Sequence, residues 1–307
     1  MSTPYTEGAV VARRCGFIAV MGAPNSGKST LVNRLVGAKV SIVSPKVQTT
    51  RTRVTGIALE GESQIVFLDL PGVFEARKRL DRAMVDAAWR GAADADQVLL
   101  LADATRAFDD KTRRIVEGIR SRELVAVLAI NKIDLVKPPS LLKLARSLND
   151  AAAFAATFMI SAATGDGVGD LKTYLARAVP AGPWLYPEDQ ISDMPERLLA
   201  AEITREQAFI QLRQELPYSI AVETEKWQEL RDGSARIEQV VYVRRDNQRK
   251  IVLGEGGSRI KTIGAAARGE MVRSFGRNIH LFLHVKVAED WAERRDFYRL
   301  WGLEYDA

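Results

Sequence analysis

The sequence predicts an α/β protein in two parts: a mostly parallel sheet with helices on both faces, followed by a smaller α+β domain. Three observations carry this reading. Short apolar runs of strand character alternate with helical stretches from residue 15 to about residue 165, the pattern of a parallel sheet covered on both sides. Between the first apolar run and the first helical stretch stands GAPNSGKST, Gly22 to Thr30, where a strand–loop–helix phosphate cradle belongs. The run VPAGPWLYPEDQISDMP, around 180 to 195, is rich in Pro and Gly without any period, which marks a linker. The expected boundaries are 12–182 for the first domain, 183–195 for the linker and 196–307 for the second domain.

In chain order, CGFIAVMG (15–22) reads as a buried strand and STLVNRLVG as the helix after the loop. Further buried strands are expected at QIVFLDLPG (64–72), DQVLLLADA (96–104), ELVAVLAINKID (123–134) and FMISAATG (158–165), with helices near 78–91, 109–120 and 140–153. The second domain is expected to run helix (196–214), two alternating strands (219–228 and 236–246), a strand and loop near 250–257, a helix (258–275), a strand (279–288) and a final helix.

Composition narrows the classes. A length of 307 residues suits two domains, and 47% hydrophobic with 27% charged residues is ordinary globular chemistry. The net charge of +5 leans toward anionic partners. The lone Cys15 excludes an internal disulfide, and two histidines argue against a His/Cys metal centre. No apolar run approaches 18 residues, and MSTPYTEGAVVARR lacks the layout of a signal segment. A cytoplasmic protein is expected, with any membrane contact peripheral.

Four motifs stand at successive strand ends. Gly22, Gly27, Lys28 and Ser29 fit G-x-x-x-x-G-K-[ST], with Ala23, Pro24, Asn25, Ser26 and Thr30 completing the loop. Its backbone N–H groups wrap phosphates, Lys28 reaches the β- and γ-phosphates, and Ser29 holds Mg²⁺. Asp69 to Gly72 form D-x-x-G, where the acid holds Mg²⁺ through water and the Gly72 N–H senses a γ-phosphate. Asn131, Lys132 and Asp134 form N-K-x-D. The Asp134 carboxylate accepts from both guanine N1–H and the 2-amino group, a donor pair adenine lacks, so GTP and GDP are the expected ligands. Ser161, Ala162 and Ala163 open SAATG, where an Ala N–H meets guanine O6.

This ordered set resembles the P-loop GTPase domain of the translation-factor class over roughly residues 12 to 180. The resemblance implies that SIVSPKVQTTRTRVTG holds a mobile loop whose Thr caps Mg²⁺ and the γ-phosphate, with Thr50 favoured and Thr49 its rival. Lys28, Thr50, Gly72 and Asn25 are then the expected catalytic set. Val73 follows the D-x-x-G motif and cannot orient water as a glutamine would, so intrinsic hydrolysis should be slow. Asn25 has two readings: it helps bind a K⁺, as in a related branch of GTPases, or it is a turn-favouring residue in a tight loop.

In the second domain, IVLGEGGSRIKTIG carries G-x-x-G at Gly254, Glu255, Gly256 and Gly257, then a helix with Ile260, Ile263, Ala267 and Met271 on one face. Backbone bare of side chains approaches phosphates closely, and a helix amino terminus favours them. This is similar to a type II KH domain, whose loop clamps about four nucleotides of single-stranded RNA. The same apolar stripe also reads as ordinary core. From Arg236 to Lys286 there are 11 basic residues against 4 acids, so positive charge concentrates here. Arg244, Arg245, Lys250, Arg259 and Lys261 are the candidate RNA contacts beside the loop. Glu255 departs from the family's usual basic or polar residue and repels phosphate.

GTPase then KH, joined by MPERLLAAEITREQAFIQLRQELPYSIAV and accompanied by VSIVSPKVQTTRTRVTGI and ELPYSIAVETE, resembles the Era family of bacterial ribosome-assembly GTPases over nearly the whole chain. One departure is Leu70, where that family has Thr. The resemblance implies a monomeric GTP-controlled chaperone of the small ribosomal subunit that holds the 3′ end of 16S ribosomal RNA. Two alternatives stand beside it. One is a GTPase associated peripherally with the inner membrane, its basic face meeting acidic lipid, or a cell-cycle signalling GTPase, and the other is an interaction protein whose KH fold binds protein.

Overall fold

The computed structural model describes residues 13–44, 46, 49–76, 78–212 and 216–307. Most of the amino-terminal segment read above, three positions of the expected mobile loop and three of the stretch after the bridging helix lie outside them.

Strand β1 (Arg14–Gly22) runs into the phosphate loop and helix α1 (Lys28–Val36). Then follow β2 (Val54–Glu60), β3 (Ser63–Asp69), α2 (Arg79–Ala93), β4 (Gln97–Asp103), α3 (Asp110–Ser121), β5 (Ala126–Asn131), α4 (Pro138–Ala151), β6 (Thr157–Ile160) and α5 (Val168–Ala178). The sheet order is β2-β3-β1-β4-β5-β6, parallel except for the β2–β3 hairpin. Strand β1 shows why both faces are covered: Ala19 and Met21 pack toward α2, α3 and α4, while Ile18 and Val20 pack toward α1 and α5. The parallel order puts the carboxyl ends of β1, β3, β4, β5 and β6 at one end of the sheet, where ligands of open α/β folds gather.

Strand β2, which was not among the expected strands, begins within the last residues of the segment read as a mobile loop (41–56). Gly61 and Glu62 close a tight hairpin, Gly61 with φ 56°, the positive-φ geometry such turns need. As an edge strand, β2 offers unpaired backbone groups, and the 183–195 stretch takes them. The Ile57 N–H donates to Ile191 O, and Ser192 Oγ donates to Thr55 O. The Gln64 amide exchanges hydrogen bonds with the Leu185 and Tyr186 backbone. The stretch is irregular as expected, yet strapped to the sheet.

The second half comprises α6 (Glu196–Gln211), β7 (Ala221–Glu229), β8 (Ala235–Val243), α7 (Asp246–Leu253), α8 (Ser258–Phe275), β9 (Ile279–Val287) and α9 (Arg295–Leu300). Its sheet is β7-β8-β9, with β8–β9 parallel. The strand expected near 250 is instead the carboxyl end of helix α7. The pair Ile251 and Val252 prompted that expectation, but only Val252 is buried, and so short an apolar run does not separate helix from strand. Trp291, Phe297, Tyr298 and Trp301 close over β8 and meet Ala83 and Met84 of α2, so the two halves share a core. Among the described residues, no helix is long and apolar enough to cross a membrane.

Candidate nucleotide site and nucleic-acid groove

The phosphate loop leaves β1 at Gly22 and is tied from several sides. Asn131 donates through Nδ2 to Ser26 O at 2.8 Å and accepts the Ala162 N–H at 2.9 Å. One side chain of the N-K-x-D motif thus joins the cradle to the SAATG loop. Lys132 Nζ donates to Asn25 O at 2.7 Å and to Asp103 Oδ2 at 2.6 Å. Asn25 has φ 65°, a left-handed position Asn tolerates, in keeping with its reading as a turn residue. A Cβ at Gly27 would lie 2.3 Å from Asn131 Nδ2, and one at Gly72 would lie 3.1 Å from Pro24 N. Close backbone approach therefore requires both glycines.

The expected metal residues come together. Ser29 Oγ donates to Asp69 Oδ2 at 2.6 Å and lies 2.9 Å from Thr50 Oγ1. Thr49 also lines the cleft at the phosphate loop, but its hydroxyl is bonded to Ser44 and to Lys46 O, so of the two rivals it is Thr50 that meets Ser29. Asp69 is fully buried, and burial pushes its carboxyl above the usual range against the pull of Lys28. Among the described residues Asp69 Oδ1 has no hydrogen-bond partner. A buried carboxylate with one unbonded oxygen beside two hydroxyls is the hard-oxygen set that suits Mg²⁺. Lys28 folds back on Gly22 O and Ala23 O, and burial lowers its pKa to about 8.

Two contributors escaped the sequence reading. Ser41 Oγ donates to Asp69 Oδ2 at 2.6 Å, and the Asn33 side chain holds Ser41 through its backbone N–H and C=O. Arg34 of α1 donates to Ala162 O and Ala163 O, bracing the loop that Asn131 holds from the other side. Nothing in either residue's local pattern signals these roles, which depend on tertiary placement. Asp134 is exposed in a 3-10 turn at Ile133–Leu135.

In the second half, Gly254, Gly256 and Gly257 all have positive φ and turn the chain from α7 into α8. Beside the loop a groove runs between α8 and β9, lined by Ile260, Lys261, Arg268, Leu281, Leu283 and His284 among others. Arg268 and His284 were not among the expected contacts. Lys261 is in the lining, Arg245 is exposed just before α7 and Lys250 on it, and Arg259 Nη1 donates to Ile251 O at that helix's end. The structure does not bring Arg244 to the groove. Its guanidinium lies 5.8 Å from the Trp291 ring, on the side facing the first half.

A family profile described as a 50S ribosome-binding GTPase matches residues 17–132, and a KH-domain profile matches residues 215–292. The GTPase Era of Rhizobium meliloti (strain 1021) is 56% identical over 300 residues, covering 98% of this chain and 96% of its own. The chain belongs to the Era family of GTPases. The GTPase Era of Brucella suis biovar 1 is 54% identical over 292 residues, covering 95% of this chain and 94% of its own. Two solved Era structures superpose with a TM-score of 0.89 at 38% identity, covering 94% of this chain and 99% of theirs. One is the Aquifex aeolicus protein bound to GDP·AlF4⁻, and the other is Era with MgGDPNP and nucleotides 1506–1542 of 16S ribosomal RNA.

Within the Era frame, the departure at Leu70 has a packing account. Its side chain is fully buried in the core, and a Cβ on Gly91 of α2 would lie 2.7 Å from Leu70 Cδ2. The larger Leu thus fits against a helix position that carries no side chain. Val73 is also buried in this core, while its N–H donates to Gly22 O at 3.3 Å.

Proposed function

We propose that this chain is a GTP-hydrolysing switch that binds the 3′ end of small-subunit 16S ribosomal RNA through its KH domain and assists small-subunit assembly. The observation that carries the proposal is full-length likeness at a TM-score of 0.89 to Era holding MgGDPNP and nucleotides 1506–1542 of 16S RNA. The nucleotide cradle and the KH groove described above supply both binding sites in this chain.

In this proposal each motif has its own part. The cradle from Gly22 to Thr30, with Lys28 at its centre, takes the phosphates. Asn131, Lys132, Asp134 and the Ser161–Ala163 loop take guanine. Ser29, Thr50 and Asp69 hold Mg²⁺, which supplies positive charge against the phosphates when bound. Gly72, packed against Pro24, presents its N–H toward the γ-phosphate. Asn25 contributes to a K⁺ site that supplies further charge. The RNA path runs over Gly254–Gly257 and along Lys261, with Arg245, Lys250 and Arg259 flanking it. The functional division falls at the strap: a GTPase domain over 12–182 and a KH domain over 196–307.

Asp134→Asn tests the base assignment. It reverses the match at guanine N1 and the 2-amino group, so GDP affinity should fall by a few kcal/mol while xanthosine diphosphate binding improves. Unchanged GDP affinity in an isothermal titration would remove Asp134 from the site. For the K⁺ proposal, hydrolysis should run faster in KCl than in NaCl at equal ionic strength, with the difference lost in Asn25→Ala. Equal parental rates in both salts would leave Asn25 as a turn residue only.

A further inference from the structure

Thr50, the residue that faces Ser29, is flanked on both sides by anchors from the other half of the chain. Before it, Arg205 of α6 donates through Nη2 to Thr49 O, its remaining charge paired with Glu202 one turn earlier on the same helix. After it, the Arg51 side chain is 1% exposed and enters the KH half outright. Its guanidinium lies 5.8, 5.5 and 5.7 Å from the rings of Phe209, Trp291 and Trp301, and it donates to Ile220 O at 2.7 Å and Tyr218 O at 3.2 Å.

A desolvated guanidinium is stable only where its donors are met and aromatic faces replace water. This socket supplies both, from α6, from the chain before β7 and from the carboxyl-terminal aromatic cluster. Lys46, earlier in the same loop, donates to Phe209 O and Leu212 O at the carboxyl end of α6, where a cation is favoured. The loop that carries Thr50 into the nucleotide site is thus held by the RNA-binding half at several points, and two of them, Thr49 O and Arg51, flank Thr50 directly.

We infer that Arg51 is a positioning residue for Thr50, and that its aromatic socket couples the nucleotide bound in the first half to RNA binding in the second. The inference rests on the function proposed above. Because Thr50 serves only the metal and the γ-phosphate, a shift of the KH half that moves Arg51 moves Thr50 relative to Ser29. It leaves the base and the rest of the phosphate cradle where they are. By linkage, the factor by which GDPNP rather than GDP strengthens RNA binding equals the factor by which RNA strengthens GDPNP binding over GDP.

The test compares the full-length parent with Arg51→Met, which fills the socket without charge, and Arg51→Lys, which keeps the charge and loses the fork. RNA ending in the small-subunit 3′ sequence is titrated into each protein loaded with GDPNP or GDP, and GTP turnover is measured alongside. In the parent the coupling factor should be at least about 5-fold. In Arg51→Met it should approach one and turnover should drop by roughly tenfold, with GDP affinity within about 2-fold of the parent; Arg51→Lys should fall between. Retained GDP affinity shows that the variant's nucleotide site is folded. Should Arg51→Met fail to fold, Arg205→Gln, which frees Thr49 O from the other side, carries the same expectation. A parent that binds RNA equally in both states, or variants that keep the parental coupling factor, would overturn the inference. A parent that binds neither GDP nor RNA would instead overturn the proposed function.

Discussion

In the proposed function the two glycine-rich loops of this protein face the same chemical problem, holding phosphate oxygens against bare backbone, and they meet it in opposite ways. In the first, a Cβ on Gly27 would sit 2.3 Å from Asn131 Nδ2, and one on Gly22 would sit 2.7 Å from Leu101 O. In the second, a Cβ on Gly256 or Gly257 would meet nothing within 4 Å. The cradle around Lys28 is enclosed and its shape is fixed by the fold. The G-E-G-G loop is tight only at its entry, where a Cβ on Gly254 would lie 2.8 Å from Arg259 N, and at Gly256 and Gly257 it stands open to a long ligand. A single small ligand rewards preorganisation, whereas a polymer that must thread and leave rewards access.

The largest effect expected from this contrast is at Gly27. In Gly27→Ala the new methyl must displace Asn131 from a residue with φ 98°, a conformation whose strain costs about 1–3 kcal/mol in itself. Asn131 also holds Ala162, so the base-reading loop shifts with it. GDP affinity should fall by roughly 100-fold with the protein still folded. A GDP titration together with circular dichroism decides this, and near-parental affinity would mean the enclosure does not matter.

Enclosure has an electrostatic consequence too. Lys28 is buried and its pKa sits near 8 rather than 10.5, with desolvation outweighing the attraction of Asp69. Bound phosphates favour the charged form and raise that pKa, so binding takes up a proton once the free side chain has lost one. Lys28 therefore leaves GDP affinity flat below about pH 8. Above it, the affinity should fall, approaching tenfold per pH unit. Comparison with Lys28→Met between pH 7 and 9 isolates the effect, because loss of the guanine N1 proton is common to both proteins. Parallel pH profiles would show that Lys28 stays charged throughout.

How much was legible in advance follows the same division. The enclosed site was readable because backbone geometry and hydrogen-bond chemistry dictate residue types at fixed spacing: Gly27, Lys28, Asp69 and Asn131 all stand where their motifs put them. What escaped were residues whose contribution is purely tertiary. Ser41 reaches Asp69 only because Asn33 clamps the chain beside it. Arg34 braces Ala162 from a helix face that reads as ordinary surface. Arg51 looked like one more basic residue in a loop, and it proved nearly fully buried. In the fold, β2 was not read as a strand and only its first residues overlap the segment whose resemblance implied mobility, and α7 was hidden by one adjacent Ile and Val. Arg244 was grouped with the groove by sequence proximity, but it follows β8 on the side that packs against Trp291.

The open loop should behave differently under substitution. Gly256→Asp finds free space at its Cβ and pays only for a backbone φ of 57°, a value Asp tolerates better than most residues. GTP binding and folding should persist. RNA affinity should drop by about tenfold, because a carboxylate then stands in the phosphate path. A titration with RNA ending in the small-subunit 3′ sequence measures it, and loss of GDP affinity in the same variant would show that the two loops are not independent.

The smallest change is the sharpest probe of the open loop. Glu255 is exposed and lies among residues rich in unspent positive charge: among the described residues Arg245, Lys250, Arg259, Lys261 and Arg268 form no ion pair with an acid. A carboxylate there opposes those cations across solvent, where screening keeps the opposition modest. Glu255→Lys removes the repulsion and adds one cation, so RNA binding should tighten by a few fold near physiological salt. The logarithmic salt slope should steepen by about 0.7, the value for one more single-strand phosphate contact. The enclosed site offers no counterpart, so GDP affinity and its salt dependence should stay as in the parent. Titrations at three salt concentrations distinguish the outcomes. A tighter complex with an unchanged slope would mean that Glu255 acts on the loop's shape, and an unchanged complex would place the RNA path away from Gly254–Gly257 altogether.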